Sequence, residues 1–183
     1  MRLARRLSIT PTAGDEGGRV ASPLLERDEI LMPYKWYGTW WSLLDGNGRR
    51  IGRARKSEVR DSDDLLVVRQ GPSRWREPIP VIERDGALVG TAAPAQAEEG
   101  RKMRDVFALR LGDSDRVVAE CTDGVVRLPG ADGQEVATIV GTSRFFGGTS
   151  WQLTFVSCED RRLRLMSLWL LANQAVKSSG GAS

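Results

Sequence analysis

The feature of this chain that most constrains its fold is a pattern that recurs four times. Each copy has an apolar run typical of a strand, a turn rich in Asp and Gly, and then an apolar residue followed by Gly or Ala. The copies lie at residues 41–55, 79–92, 107–121 and 125–140. Each copy predicts a β-hairpin, because Asn, Asp and Gly tolerate the positive φ that tight hairpin turns require. The clearest turns are Asp45-Gly46-Asn47-Gly48, Asp85-Gly86 and Asp132-Gly133.

The spacing of the copies excludes a regular repeat array. The small residues that close them are 38, 29 and 18 positions apart, whereas a solenoid or a propeller needs a fixed period. These residues are Gly52, Gly90, Ala119 and Ala137. Unequal hairpins are typical of an antiparallel meander, and closing such a sheet into a barrel removes its exposed edges. We therefore expect one mainly β domain in a chain of 183 residues.

Other segments also predict strands. The run Leu65–Val68 is continuously apolar, which favours a strand buried on both faces. Apolar residues alternate with polar ones along 151–155 and, less strictly, along 107–111, as in a half-buried strand. The aromatic run 34–41 predicts a strand with Trp36, Gly38 and Trp40 on one face. That aromatic cluster fits either packing in the core and at a barrel end, or a platform for a ligand or a membrane interface.

A helix is predicted after the last strand. Residues 163–176 are apolar almost all round, and a helix of that kind must be enclosed on nearly every side. Glu159-Asp160 can cap a helix that begins near Arg161. The apolar segment would span about 21 Å as a helix. The hydrocarbon core of a bilayer is about 30 Å thick and needs roughly 20 residues to cross. We therefore expect a core helix and not a transmembrane anchor.

The ends of the chain are predicted to be flexible. Residues 1–29 have no sustained periodicity and form an expected flexible arm, residues 30–177 the folded domain, and residues 178–183 a flexible tail. Residues 1–14 lack the apolar core of a secretory signal, so a cytoplasmic location is expected. There, Cys121 and Cys158 are expected to be buried thiols, and in an oxidising compartment they could instead form a disulfide.

The sequence carries little that could perform catalysis. It has no histidine, which removes the commonest general base and the commonest metal ligand. We therefore expect a protein that is not an enzyme and that has no metal site and no cofactor. The densest acidic group is Asp61, Asp63 and Asp64, which predicts a solvated loop, with weak cation binding as the alternative.

A basic cluster is the candidate binding site. Five cations occur within the eight residues 49–56, namely Arg49, Arg50, Arg53, Arg55 and Lys56. Such clusters attract phosphates and anionic lipid headgroups, although solvated charges at a turn and a strand edge would look the same. No aromatic residues interleave with these cations, which argues against a nucleic-acid partner.

The hairpins LLDGNGRRIG, VIERDGALVG and LPGADGQEVA, followed by the final helix, resemble the tubby C-terminal-like superfamily, which includes phospholipid scramblases and LURP-one-related proteins. The resemblance covers about residues 33–176. It implies a closed antiparallel barrel of about twelve strands around a hydrophobic C-terminal helix. A tubby-type phosphoinositide site cannot be matched residue by residue, so that ligand is not carried over.

Two functions follow as hypotheses. The first is a cytoplasmic, membrane-associated protein that binds anionic lipid headgroups through the five cations of the basic cluster. The alternative is a protein-interaction or scaffold module that is recruited to a protein partner through residues 1–29. A barrel that holds a small apolar ligand is disfavoured, because the helix would fill its interior.

Overall fold

A computed structural model describes residues 22–35, 38–74, 77–94, 107–111, 115–122, 125–130, 133–143 and 148–179. The described part contains a short 3₁₀ helix at Pro23–Glu26 and one α-helix, α1, at Arg161–Ser179. It also contains twelve strands: β1 (Glu29–Met32), β2 (Trp41–Leu44), β3 (Arg50–Arg55), β4 (Glu58–Asp61), β5 (Leu66–Gln70), β6 (Ile79–Glu83), β7 (Leu88–Pro94), β8 (Phe107–Leu111), β9 (Asp115–Thr122), β10 (Val125–Pro129), β11 (Glu135–Ser143) and β12 (Thr149–Phe155).

Every strand pairs antiparallel with its neighbours along the chain, and β1 also pairs with β12. The strands are ordered β1-β12-β11-β10-β9-β8-β7-β6-β5-β4-β3-β2 across the sheet. One residue pair, Leu31 opposite Leu44, joins β1 to β2. Pro33 follows β1 directly and has no N–H with which to extend this pairing. The prediction of a mainly β, antiparallel fold that ends in a helix is confirmed.

The predicted hairpin turns share one geometry. After β2, the Asp45 N–H donates to the Arg49 carbonyl (2.9 Å), and the Gly48 N–H donates to the Asp45 carbonyl (2.9 Å). Gly48 has a φ of 77°, which is the left-handed region that glycine enters without steric cost. The same two bonds and a glycine at positive φ recur within 83–87 and 130–134. These turns are three-residue hairpin loops that end in a left-handed residue, so their prediction is confirmed.

The turn between β4 and β5 has the same geometry without a glycine. The Asp61 N–H donates to the Leu65 carbonyl (3.0 Å), and Asp64 takes the left-handed position with a φ of 65°. The buried Asp61 carboxylate accepts the backbone N–H groups of Asp63 (3.1 Å) and Leu65 (2.9 Å). The expectation of a solvated loop is therefore wrong for Asp61, which stabilises its own turn from within.

A register shift follows several of these turns and explains the apolar residue that precedes each small one. Ile51, Val89 and Val136 are the extra residues of β-bulges, and a further bulge places Val67 beside Val68. Val67 and Val68 are both buried because of this bulge. The bulge, and not burial of both faces of the strand as predicted, therefore explains why these two neighbouring valines are buried. Strands β8 and β9 pair without such a shift, so the third copy of the pattern lacks the bulge.

Helix α1 crosses the inner side of the sheet from end to end. Near its start the Arg161 guanidinium binds the Glu83 carboxylate (2.5 Å) at the end of β6, where the predicted turns lie. Farther along, the Ser57 hydroxyl donates to the Asn173 side-chain oxygen (3.0 Å) beside the opposite turn, between β3 and β4. All residues from Leu165 through Ala172 are buried. The predicted core helix is confirmed.

The predicted helix start is also confirmed, because the Asp160 carboxylate accepts the Arg162 N–H (2.8 Å) as an N-cap. The helix continues through Ser179, so the expected flexible tail is wrong for residues 178–179. Among the described residues, no helix has both the length and the apolar character needed to cross a lipid bilayer.

The expected flexible arm at residues 1–29 is wrong for its last eight residues. Leu24 is fully buried in the core, and the 3₁₀ helix packs against α1 and β3. The Arg164 guanidinium also donates to the carbonyls of Leu25 (3.0 Å) and Arg27 (3.0 Å). The pair Leu24-Leu25 is too short to show a helical or strand period, so the sequence pattern did not indicate that this segment packs on the core. Residues 1–21, on which the alternative of a recruiting arm now depends, lie outside the described residues.

Candidate anion-binding face

The five cations predicted as a binding site do not converge on one point. Arg49 and Arg50 lie at one end of β3 and Lys56 follows its other end, about 20 Å away at 3.3 Å per residue. Arg53 and Arg55 lie between them and point away from the core, because the intervening Ala54 is buried. The structure therefore brings together only Arg53 and Arg55, and the other three predicted cations lie along the same strand.

Trp40 holds these two arginines. The guanidinium carbon of Arg53 lies 4.2 Å from the centre of the Trp40 ring, and that of Arg55 lies 4.7 Å from it. A third arginine, Arg60, lies 5.9 Å away. Cations at these distances are attracted to the indole ring. The Trp40 carbonyl in turn accepts a hydrogen bond from the Lys35 ammonium group (3.2 Å), which helps to fix the segment that carries the ring.

The predicted strand through the aromatic run is corrected by this arrangement. Residues 38–40 form a bend, with Gly38 at a φ of 84°, and β2 begins only at Trp41. Trp36 lies outside the described residues. Of the two interpretations of this run, the contacts of Trp40 favour a surface platform, since its ring contacts arginines on the outer surface.

The strand register adds two arginines and a glutamate to this surface. Arg53 lies directly opposite Arg60, and Arg55 lies directly opposite Glu58. Glu58 in turn lies opposite Arg69 on β5. Residues that are directly opposite in an antiparallel sheet share one face. We call the outer surface formed by Arg53, Arg55, Arg60 and Arg69 the arginine face.

Two carboxylates lie within the arginine face. The Glu58 side chain, 12% exposed, accepts hydrogen bonds from Arg55 (2.8 Å) and Arg60 (2.6 Å). Asp64, from the turn between β4 and β5, pairs with Arg53. Four arginines thus face two carboxylates, and Arg69 is exposed and forms no ion pair with any other described residue. The face keeps an excess of positive charge.

The pKa of Glu58 lies below the usual value of 4.5. Burial is the largest single influence and raises this pKa, but the hydrogen bonds from Arg60 and Arg55, together with their charges, outweigh it. Glu58 is therefore ionised at neutral pH and is a fixed counter-ion of the two arginines.

Apolar side chains border the arginine face on the side away from Trp40. Ile82 on β6 lies opposite Arg69, and Leu88 on β7 lies opposite Ile82. The Leu88 side chain is 59% exposed. One continuous row across five strands therefore runs from arginine, through glutamate and arginine, to two apolar residues.

Sequence reasoning missed Trp40, Glu58, Arg60, Asp64 and Arg69 as members of this site. A usable signal was present, because the short turn at Lys56-Ser57 fixes which residues of β3 and β4 are opposite each other. That turn contains no glycine, and the hairpin was not predicted. Ser57 instead adopts a φ of 62° there.

Cys158 lies away from this surface, beside the start of α1. It is a buried free thiol, as predicted, and burial raises its pKa, so it is protonated at neutral pH. The side chain of Cys121 lies outside the described residues. Within the described ranges, no group of three or more acidic or cysteine side chains is arranged to hold a metal ion. Comparisons with protein-family models, with curated proteins and with solved structures find no match for this chain.

Proposed function

We propose that this chain is a non-enzymatic module that binds anionic lipid headgroups at a membrane surface through the arginine face. The observation that supports this most is the stacking of Arg53 and Arg55 on Trp40, with Arg60 and Arg69 beside them on the same outer surface. Arginine side chains that are held in place lose little conformational entropy when they bind an anion.

The position of α1 supports a binding surface on the outside of the sheet. The helix packs on the inner side against β3, β4, β5, β7, β8, β11 and β12. Its buried side chains, with Trp169 and Met166 among the largest, occupy the space in which a barrel would otherwise hold a ligand.

The mixture of side chains favours a lipid surface. Each cation near an anionic membrane contributes about 1 kcal/mol of attraction. The exposed Arg49, Arg50 and Lys56 extend the positive charge along the same strand. At the two borders of the arginine face, Trp40 and Leu88 supply an aromatic and an apolar side chain of the kinds that enter membrane interfaces.

We also propose that the chain is a distant member of the tubby C-terminal-like superfamily. The cyclic order of twelve antiparallel strands and the enclosed C-terminal helix support this assignment. The proposal includes a closed barrel that is stable in solution, although one residue pair joins β1 to β2.

Vesicle co-sedimentation tests the function. We expect the protein to sediment with vesicles of phosphatidylcholine and phosphatidic acid but not of phosphatidylcholine alone, and to be released as salt approaches about 0.5 M, where surface charges are screened. Arg69→Ala should weaken this binding, whereas Arg127→Ala should not. Arg127 is the matched control, because it lies on the outer surface of β10, six strands from β4 in the ring of twelve.

Equal binding of the protein to neutral and anionic vesicles at low salt would overturn the proposal. Equal losses in the two variants would locate the binding surface elsewhere. If neither vesicle binds, the alternative of a protein-interaction module is favoured.

A further inference from the structure

The turn between β4 and β5 places Asp64 between two arginines of the arginine face. Its carboxylate pairs with Arg53, and its second oxygen lies 3.9 Å from the Arg60 guanidinium, which also donates to the Asp64 carbonyl (3.0 Å). Arg53 and Arg60 are directly opposite each other, and like charges in that position repel. The chain itself supplies the anion that lies between them.

The backbone of Asp64 is held in a conformation that a side chain disfavours. Its φ is 65°, and the equivalent positions of the other described turns of this type are occupied by Gly48, Gly86 and Gly133. Glycine adopts the left-handed conformation without steric cost, whereas aspartate does not. The carboxylate, which glycine would lack, is the group that makes contact with the arginine face.

We infer that Asp64 is an internal counter-ion that occupies the position of a ligand phosphate and is displaced when the ligand binds. This inference rests on the proposed function, and it identifies a regulating residue within the same site. Carboxylate and phosphate oxygens accept the same paired hydrogen bonds from a guanidinium. Asp64 is suited to leave, because its side chain is 53% exposed and lies on a turn.

The neighbours of Asp64 remain in place when it leaves. The Trp40 ring stacks on Arg53 and keeps that guanidinium against the outer surface. Glu58 is bound by Arg55 and Arg60 and is much less exposed than Asp64. Displacement therefore exposes an arginine pair that is already positioned.

The displaced charge determines which ligands compete well. A phosphodiester headgroup carries one negative charge, so the arginines attract it little more strongly than the Asp64 carboxylate that it replaces. A phosphate monoester carries about −1.5 to −2 at neutral pH. Phosphate monoesters are therefore the class that this site selects, whether on a lipid headgroup or in a soluble molecule.

Two substitutions that remove the same charge test the inference. Asp64→Asn removes the counter-ion and keeps a residue that tolerates positive φ. Asp63→Asn is the control, since Asp63 is exposed and its side chain forms no ion pair with a described residue. Binding of inorganic phosphate is measured by calorimetry, and binding to vesicles of phosphatidylcholine with phosphatidic acid is measured by co-sedimentation. Circular dichroism verifies folding, and Asp64→Gly, which relieves the backbone, is the second variant.

We expect Asp64→Asn to bind about three to ten times more tightly than Asp63→Asn, as expected for loss of one partly exposed ion pair. Tighter binding to phosphate without binding of any variant to vesicles would support the counter-ion and overturn the membrane function. Vesicle binding by the unmodified chain with equal affinities of the two variants would overturn the counter-ion and retain the membrane function. Failure of all variants to bind either probe would overturn both.

Discussion

The carbonyl oxygen of Arg60 lies so close to Gly52 that it would clash with a Cβ atom added there. The two residues belong to neighbouring strands, β4 and β3, and the close approach accounts for the small residue that closes this copy of the repeated pattern. We expect Gly52→Ala to destabilise the fold by about 2 kcal/mol or more, because two backbones must separate.

Urea unfolding measures this effect. Gly46→Ala is the control, because Gly46 does not have positive φ and an added Cβ there would meet only the flexible Glu29 side chain at 3.3 Å. Equal stability of the two variants would show that β3 and β4 are farther apart than the structure has them.

The buried carboxylate of Asp61 stabilises a turn that has no glycine. Asp61→Ala leaves the backbone N–H groups of Asp63 and Leu65 without their acceptor and should lower the free energy of unfolding by about 1–3 kcal/mol. Asp63→Ala removes an exposed side chain and should change it by less than about 0.5 kcal/mol. The comparison fails to support the turn geometry if both variants unfold at the same urea concentration.

Arg164 connects the start of α1 to the segment before β1. Its guanidinium donates to the carbonyls of Leu25 (3.0 Å), Arg27 (3.0 Å) and Cys158 (2.6 Å). Lysine cannot reach three separate acceptors in this planar arrangement, so Arg164→Lys should destabilise the protein by about 2 kcal/mol. Arg162→Lys, at an exposed position, should be neutral in the same thermal unfolding experiment. A neutral result for Arg164→Lys would contradict this role.

The placement of α1 inside the sheet predicts a severe effect at Trp169, which is 1% exposed. Trp169→Arg places an unpaired charge in the core and should prevent folding, whereas Trp169→Phe should only lower the melting temperature. Far-UV circular dichroism and thermal melting distinguish these results. An unchanged spectrum and melting temperature for Trp169→Arg would show that this part of the helix is not enclosed.

Glu58 predicts how stability depends on pH. Its pKa in the folded protein is lower than 4.5, so its ionised form stabilises the fold above the unfolded-state pKa, and this contribution is lost as the pH falls through the folded-state pKa. The difference in unfolding free energy between the unmodified chain and Glu58→Gln should therefore be full well above pH 4.5 and should shrink as the pH falls from 4.5 through the lower folded-state pKa of Glu58. A difference that grows on acidification has the wrong sign for this ion-pair network.

The sequence predicted those parts of the fold that depend on local chemistry. Turns such as the one at Gly48 were identified because glycine is required at positive φ, and α1 was identified because its apolar residues leave no solvent face. The turn at Ser57 was missed, and the loop predicted at Asp61, Asp63 and Asp64 was not recognised as a tight hairpin turn, since residues other than glycine adopt the positive φ in both places. The binding surface could be predicted only in part. Membership of Trp40 in that surface depends on a bend before β2, and no period in the sequence indicates that bend.

The pairing of β1 with β12 has a consequence for the order in which this protein can fold. The hairpins join residues that are close in the chain, so they close short loops at little entropic cost and can form as the chain emerges from the ribosome. The pairing of β1 with β12, in contrast, joins residues more than one hundred positions apart, for example Ile30 with Leu153. Helix α1 is synthesised after both. The apolar inner side of the sheet therefore stays uncovered until α1 is made, and a chain that stops before Arg161 is expected to aggregate.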